Sequence, residues 1–466
     1  MTGSGFSPGQ RRIVLLLVLV VVLVFALFAG FIITSLQTLE QAAVPTAVSG
    51  ASASPSASPT QAQPATSTPM PRNGFWAQVR SARLFDQIAH QVEVERNLSP
   101  RAEVPLSFLE ERRMEETLLD VFSQGQWNDT SQIYRAIGLF PAEQPGLSVD
   151  APAGIYVPEH RQLYVTIGRL ESDPDAQALL AHAYVHALQD QHFDLRGMAE
   201  RAETMDAWLA LQALIEGDAT LTTALYDDGD LASADWDRWT ELIVAAEHPH
   251  YDDTASSQDA SSRLQSFATT RGRQFVVSLF ERGGWEAVNA AYTDPPRSTE
   301  HILHPTRYLD ATSPAVEPSG PSPVTVPSLD KALGEGWEML EEDTVGEFVT
   351  TLYLTQALPP DMAQNAANGW DGDTFVIWGR EDGASFQIWR SLWRNTEEAR
   401  SFERAVRLVI PQRHLPVRPM QPPRGAPGRW WETESGTILL RRDGRYVMQV
   451  CAPDTNSLLN ALEVLP

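Results

Sequence analysis

The pattern of apolar and polar positions changes character several times along the chain. Ile13 to Ile33 is an unbroken apolar run, long enough at about 1.5 Å per residue to cross a hydrocarbon core of about 30 Å. Arg11 and Arg12 precede it and no Lys or Arg follows before Arg72, which predicts a short cytoplasmic tail and an outward-facing remainder. The run exceeds the roughly 7–15 residues of a signal-peptide core, so an uncleaved anchor is expected. Residues 43–72, rich in Ala, Ser, Thr and Pro, lack the apolar surface to offset their chain entropy and read as an extended spacer. From Phe75 to Phe122 apolar residues recur at helical spacing, predicting two or three helices. Gly154–Pro158 and Gln162–Ile167 read as short strands joined by the polar turn Glu159-His160-Arg161, hence a hairpin.

Asp173 suits an N-cap and Pro174 a first helical position, so a helix is predicted from Ala176 to about His192. Further helices are predicted over Arg201–Tyr226 and Phe267–Val288. Prolines between Pro314 and Pro327 mark a boundary. Beyond it the pattern predicts a helix over Glu341–Asn368, strands at Thr374–Trp378 and Ser385–Trp389, a helix over Thr396–Ile410, three strands between Arg429 and Cys451, and a last helix ending near Leu462. The expected fold class is α+β: a cytoplasmic tail (1–12), a transmembrane anchor (13–34), a linker (35–73), a mainly helical domain with a small β-hairpin (74–312), a Pro-rich linker (313–330) and a smaller α+β domain (331–466).

Charge narrows the function classes. Acidic residues outnumber basic ones, 60 to 35, for a formal net charge of −25. Phosphate binding needs clustered Lys and Arg, so a nucleic-acid role is excluded. Nearly all the basic residues are Arg, with Lys331 the one lysine. The single cysteine, Cys451, lies in an alternating apolar run and reads as a small core residue; no intramolecular disulfide can form. Trp370, Trp378, Trp389, Trp393, Trp430 and Trp431 read as core, with a binding surface as the rival assignment.

The chemistry concentrates on the helix Leu180-Ala181-His182-Ala183-Tyr184-Val185-His186-Ala187-Leu188-Gln189-Asp190-Gln191-His192-Phe193-Asp194-Leu195. His182 and His186 are four apart and share a helix face, which can bring two imidazoles to one metal ion. Zinc then needs a third ligand, which Glu216 in Ala213-Leu214-Ile215-Glu216-Gly217-Asp218-Ala219-Thr220 can supply from the next helix. Asp190, one turn beyond His186, is either an acceptor for a ligand histidine or a solvated charge. Asp218, two residues from Glu216, is expected to face elsewhere on its helix, with a supporting place behind the ligands as the rival reading, and His192 is expected off the ligand face because the helix continues through Gln189.

These segments resemble a bacterial family of gluzincin-type (HExxH…E) zinc metallopeptidases. That family has one helix reading LAHELxHALQDQHFDL, a second reading ALxEGDAT, a preceding Gly-Phe-Tyr-Asp-Pro hairpin and a following Ser-Thr-Glu-Gln-x-Leu-His-Pro segment. This chain carries Gly154-Ile155-Tyr156-Val157-Pro158, both helices, Ser298-Thr299-Glu300-His301-Ile302-Leu303-His304-Pro305 and Gly369-Trp370-Asp371-Gly372-Asp373. The resemblance implies a zincin-like domain over 74–312, zinc on His182, His186 and Glu216, and Glu300 and His304 as cleft residues, the latter stabilising an oxyanion. It also implies a bacterial cell membrane as the location.

Two positions depart from the family. The glutamate that moves the proton from attacking water to leaving amine, a contribution of about 10²–10⁴-fold, is replaced by Ala183. The hairpin aspartate is Val157. The expectation is therefore a membrane-anchored, extracytoplasmic zinc peptidase homologue without effective catalysis, binding a peptide or an envelope protein and holding the membrane through its N-terminal helix. The alternatives are a hydrolase with a displaced base, such as Glu300 or Asp190, and a metal-free envelope protein with a binding or structural role.

Overall fold

The structure, a computed structural model, describes residues 72–124, 132–140, 147–170, 174–247, 250–251, 262–311 and 320–466. Helix α1 (Arg72–Arg96) stops where Asn97 enters the left-handed region at φ 56°, and the chain turns extended. Strand β1 (Leu106–Leu109), helices α2 (Glu111–Gln124) and α3 (Gln132–Ala136), strand β2 (Leu147–Ser148) and the hairpin β3 (Gly154–Val157) and β4 (Gln162–Thr166) follow. Next come helices α4 (Pro174–Phe193), α5 (Leu195–Arg201), α6 (Met205–Asp228) and α7 (Trp236–Glu247) and strand β5 (His250–Tyr251). A π-helical turn, Ala268–Gly272, leads into α8 (Arg273–Thr293), then α9 (Thr299–Leu303) and α10 (Pro305–Ala311). The last segment runs α11 (Asp330–Leu333), β6 (Trp337–Asp343), α12 (Gly346–Thr355), α13 (Pro360–Ala367), β7 (Trp370–Arg380), β8 (Ser385–Trp393), α14 (Thr396–Arg413), β9 (Val417–Met420), β10 (Arg429–Thr433), β11 (Gly436–Asp443), β12 (Tyr446–Ala452) and α15 (Thr455–Leu462).

Helices α4 and α6 form the centre of the first part. Ala178, Ala181, Ala183 and Ala187 on α4 and Ala210, Ala213, Ala219 and Ala224 on α6 are all buried, and such small side chains let helices and strands approach closely. A helix covered all round shows no amphipathic stripe, as the sequence of α6 illustrates with its long buried run from Leu209 to Ala224. Thr204 caps α6 by accepting from the Ala207 N–H at 3.1 Å, and Gly229 ends it at φ 70°. Strand β3 runs directly against α4: a Cβ on Gly154 would lie 2.5 Å from Leu180 Cδ1.

The largest sheet is antiparallel, with seven strands in the order β6-β7-β8-β12-β11-β10-β9. Both faces are covered. Phe375, Ile377, Trp389 and Val447 on one face pack in the cluster of Val349, Leu352, Tyr353, Phe402, Val406 and Val409 from α12 and α14. Val376, Trp378, Ile388, Met448 and Val450 on the other pack with Leu458 and Ala461 of α15. Successive strand residues point to opposite faces, so two covered faces yield the unbroken apolar runs of these strands. The six tryptophans weighed as core or binding surface are all buried. Cys451 is half-buried beside Gln449, and burial pushes its thiol up. The first of these clusters also includes Leu209, Leu214, Phe275 and Tyr308 from the helical part, so one core serves α6, α8, α10, α12, α14 and the sheet.

The expected fold class needs correction. The hairpin is not isolated: β1 adds to β4 in parallel, with Leu106 opposite Leu163 and Phe108 opposite Val165, giving a three-stranded mixed sheet. Leu106–Leu109 had been assigned to helix because a four-residue apolar run carries no decisive period, and pairing with β4 settles it. Likewise Glu341 to Asp343 belongs to β6, a largely exposed edge strand, where charge discourages further pairing. The architecture is thus α+β with a seven-stranded antiparallel sheet as its main β element, not a helical domain with a hairpin beside a smaller unit. Among the described residues no helix is long and apolar enough to cross a membrane. The expected anchor at 13–34 and the linker up to residue 71 lie outside the described residues.

One backbone contact positions α6. A Cβ on Gly272 would lie 2.0 Å from the Ala213 carbonyl oxygen, and one on Gly217 would lie 2.3 Å from the Gly272 carbonyl. Gly272→Ala is expected to lower the unfolding free energy by about 1–3 kcal/mol through overpacking. Denaturant unfolding checks this, and a wild-type midpoint would show that the helices do not touch as described.

Candidate metal centre

His182 and His186 project from α4 toward Glu216 on α6, and the two helices pack side by side. His182 is 1% exposed and His186 8%, so both imidazoles are withdrawn from solvent, while Glu216 is partly covered. The two Nε2 atoms lie 3.1 Å apart. Glu216 Oε2 is 3.3 Å from His182 Nε2, and Oε1 is 3.6 Å from His186 Nε2. One ligand atom from each residue lies within 4.8 Å of the others.

The opposite ring nitrogens fix the tautomers. Thr223 donates its hydroxyl to the Ala219 carbonyl at 2.8 Å, so its oxygen accepts from His182 Nδ1–H at 3.2 Å. Gln189 donates from Nε2 to the Ile215 carbonyl and to Asp218 Oδ2, each at 3.0 Å, which orients its amide. Its Oε1 therefore accepts from His186 Nδ1–H at 2.9 Å. Each imidazole turns its Nε2 inward, toward Glu216. Two imidazole nitrogens and a carboxylate converge, an arrangement that a divalent cation between them would favour. In a tetrahedral zinc shell with bonds of about 2.0–2.1 Å, ligand atoms are about 3.3 Å apart, close to the separations found here. The donor set fits a divalent ion of zinc type.

Behind this shell stands a buried ion pair. Asp218 receives Arg96 Nε at 2.6 Å and Nη2 at 3.0 Å, with both side chains 0% exposed. Tyr292 of α8 donates to the same carboxylate at 2.8 Å. Arg96 Nη2 also donates to Asn289 at 2.7 Å, and its guanidinium lies 4.2 Å above the Trp285 ring. Sequence reasoning did not reach Gln189, Thr223 or Arg96. Gln189 left a signal, since it stands three residues after His186 on the same face; Thr223 and Arg96 left none.

The other expected residues lie elsewhere. Asp190, considered as the acceptor for a ligand histidine, accepts from the Tyr156 hydroxyl at 2.6 Å and the Leu195 N–H at 3.1 Å. Those two donors compete successfully for its carboxylate, and Gln189 takes the imidazole. His192 bonds the Ser99 carbonyl at 2.8 Å on the exposed side of α4. Ala183 is buried in the apolar cluster that includes Leu180, Tyr184 and Leu163, with no titratable group.

Glu300 and His304 belong to a second group. Thr299 binds Asp206 in the first turn of α6 through its N–H at 3.0 Å and its hydroxyl at 2.5 Å. Asp206 is ten residues from Glu216, about 15 Å along a helix. Glu300 accepts from Arg307 at 2.5 Å and Arg394 at 3.2 Å, and His304 Nε2 lies 2.8 Å from Glu347. The structure therefore does not bring Glu300 and His304 into the group of His182, His186 and Glu216. Burial, reinforced by the Glu300 charge, pushes Glu347 up to about 9. Burial and the Arg307 charge lower His304 to about 4. Burial also raises Asp206 to about 6, against hydrogen bonds from Thr299 and Ser298, and Asp373 to about 7, against bonds from Trp370 and the Val345 N–H.

Residues 336–462 match the family model of a domain of unknown function (DUF8575). The match runs from just before β6 to the end of α15, the segment of the seven-stranded sheet. No curated protein and no solved structure matches the chain.

The raised carboxyl groups make a pH prediction. Glu347, Asp373 and Asp206 have folded pKa values of about 9, 7 and 6, above the unfolded range near 4. Their neutral forms are favoured in the fold, so their contribution is complete below about pH 4 and is lost as pH rises through about 6 to 9. Unfolding midpoints should fall from pH 5 to pH 9. Glu347→Gln, which keeps a donor for His304, should match the wild type at pH 5 and exceed it at pH 9. Parallel curves for the two proteins would contradict the assignment to Glu347.

Proposed function

We propose that this chain is a metal-binding relative of the HExxH…E metallopeptidases that holds a peptide or envelope protein without efficiently cutting it. One observation carries the reading. The Nε2 atoms of His182 and His186 face each other at 3.1 Å beside the Glu216 carboxylate, with both Nδ1 atoms engaged behind them. The match of three donors from two helices to a His₂Glu shell supports zinc.

The residues present then divide by role. His182, His186 and Glu216 hold the ion, and Thr223 and Gln189 fix the imidazoles. A zinc ion supplies, when bound, a positive charge that polarises a carbonyl group. The proton transfer of peptide hydrolysis needs a titratable group beside the reacting atoms, and Ala183 has none. Of the two carboxylates considered as substitutes, Glu300 is tied to Arg307 and Arg394, and Asp190 to Tyr156 and Leu195. Peptide binding draws support from β3, an edge strand of its sheet that lies against α4; an extended chain can add to such an edge.

The test uses the full chain, its bound metal and a general protein substrate, beside an Ala183→Glu variant. The expected result is one zinc per chain, no hydrolysis by the unmodified protein, and metal-dependent hydrolysis gained in the variant. Metal-dependent turnover by the unmodified chain would overturn the non-cutting part of the reading. No metal uptake after zinc loading would leave the metal-free alternative.

A further inference from the structure

The metal centre has a second connection that runs outward rather than into the cleft. Starting at His186 Nδ1, the path goes 2.9 Å to Gln189 Oε1, then from Gln189 Nε2 3.0 Å to Asp218 Oδ2. From Asp218 it passes to Arg96 through two contacts of 2.6 and 3.0 Å. Gln189, Asp218 and Arg96 are each 0% exposed. Arg96 is the last residue of α1, and the Trp285 indole secures the same end by donating to the Glu95 carbonyl at 2.7 Å. A buried guanidinium and a buried carboxylate have no water to replace a lost partner, so each needs the other in place.

We infer that the metal centre and the docking of the C-terminal end of α1 are coupled through Gln189, Asp218 and Arg96. The inference rests on the metal-centre reading above and concerns how that site is regulated. Gln189 is a positioning residue: it holds His186 in the tautomer and orientation that the ion requires, and Asp218 holds Gln189. Asp218 in turn keeps its geometry only while Arg96 is seated over Trp285. Whatever pulls the end of α1 away loosens His186. By reciprocity, filling the site stabilises the seat of Arg96 by the same factor. Loss of a supporting partner of this kind typically costs about 10–100-fold in metal affinity.

The coupling is measured on the full chain with zinc as the probe. Zinc affinity is obtained by competition with a chromophoric chelator, and amide exchange is followed across Val92–Arg96 with and without zinc. Cobalt(II) absorption reports the ligand geometry. In the wild type, zinc should slow exchange in this last turn of α1. Gln189→Met, similar in volume but without the amide, should bind zinc about 10–100-fold more weakly and lose the zinc-dependent protection of α1. The double variant Arg96→Met with Asp218→Asn, which removes the ion pair without stranding a charge, should also weaken zinc binding and shift the cobalt spectrum. Zinc affinity unchanged in both variants would overturn the coupling. So would wild-type exchange in which zinc protects α4 and α6 but leaves Val92–Arg96 untouched, a result that needs no variant to fold. Failure of the wild type to bind zinc at all would instead remove the metal-centre reading, and the coupling with it.

Discussion

The buried pair of Arg96 and Asp218 is the contact around which the helical part is organised. Asp218 sits on α6 and takes donors from three other helices: Arg96 from α1, Gln189 from α4 and Tyr292 from α8. A carboxylate withdrawn from water is tolerable only when such donors surround it, and breaking one buried partner costs about 3–5 kcal/mol. The pair therefore acts less as a gain in stability than as a constraint. The helices must meet in one register, because any other leaves a charge unpaired. His182, His186 and Glu216 are carried on two of the helices so constrained, which gives the three ligand atoms their fixed separations.

Glycine completes that constraint from the other side. The π turn Ala268–Gly272 approaches α6 backbone to backbone at Gly217, the residue after Glu216. π turns within helices are often found at functional sites, since they shift the register of the side chains that follow. Here the shift coincides with a contact that no side chain could share. The same part of the molecule continues into the cluster of Asp206, Glu300, Glu347 and Asp373. There burial holds carboxyl groups toward their neutral forms, and Arg307 and Arg394 offset the Glu300 charge. The middle and the first turn of α6 thus differ: around Glu216 two imidazole nitrogens meet a carboxylate, and around Asp206 burial suppresses negative charge.

How much of this could be read from the sequence depended on the range of the interaction. His182 and His186 were legible because four residues is one helical turn, and Glu216 because its helix is the next long one. Helices α4, α6 and α14 and strands β7, β8 and β10 to β12 were placed by local signals, the apolar period and, for α4, its N-terminal Asp173 and Pro174. Strands β1 and β6 were not, since their identity depends on partners 57 residues away for Leu106 and Leu163, and 43 away for Trp337 and Arg380. The supporting residues followed the same rule. Gln189 is local to His186, yet the helical period pointed to Asp190, four residues on, as one candidate acceptor beside a solvated charge. That choice ignored Tyr156 and the Leu195 N–H, which reach Asp190 from outside the helix. Arg96 could not be found at all, being 122 residues from its partner.

The position of Ala183 acquires a sharper meaning in this setting. His182, His186 and Glu216 converge on one point, and the Thr223 and Gln189 bonds hold the two imidazoles in that orientation. On the proposed reading a cation between the three groups offsets that crowding. Ala183, one residue along, carries no such constraint: it packs as one more small buried residue of α4 among Leu180 and Tyr184. On the proposed reading the chain preserves the part of a hydrolytic centre that binds and orients, through five mutually supporting residues on α4 and α6. The single group that would move a proton is gone. Holding a cation and moving a proton are physically separable demands, and in this chain the residues for the first are interlocked while the position for the second is a buried alanine.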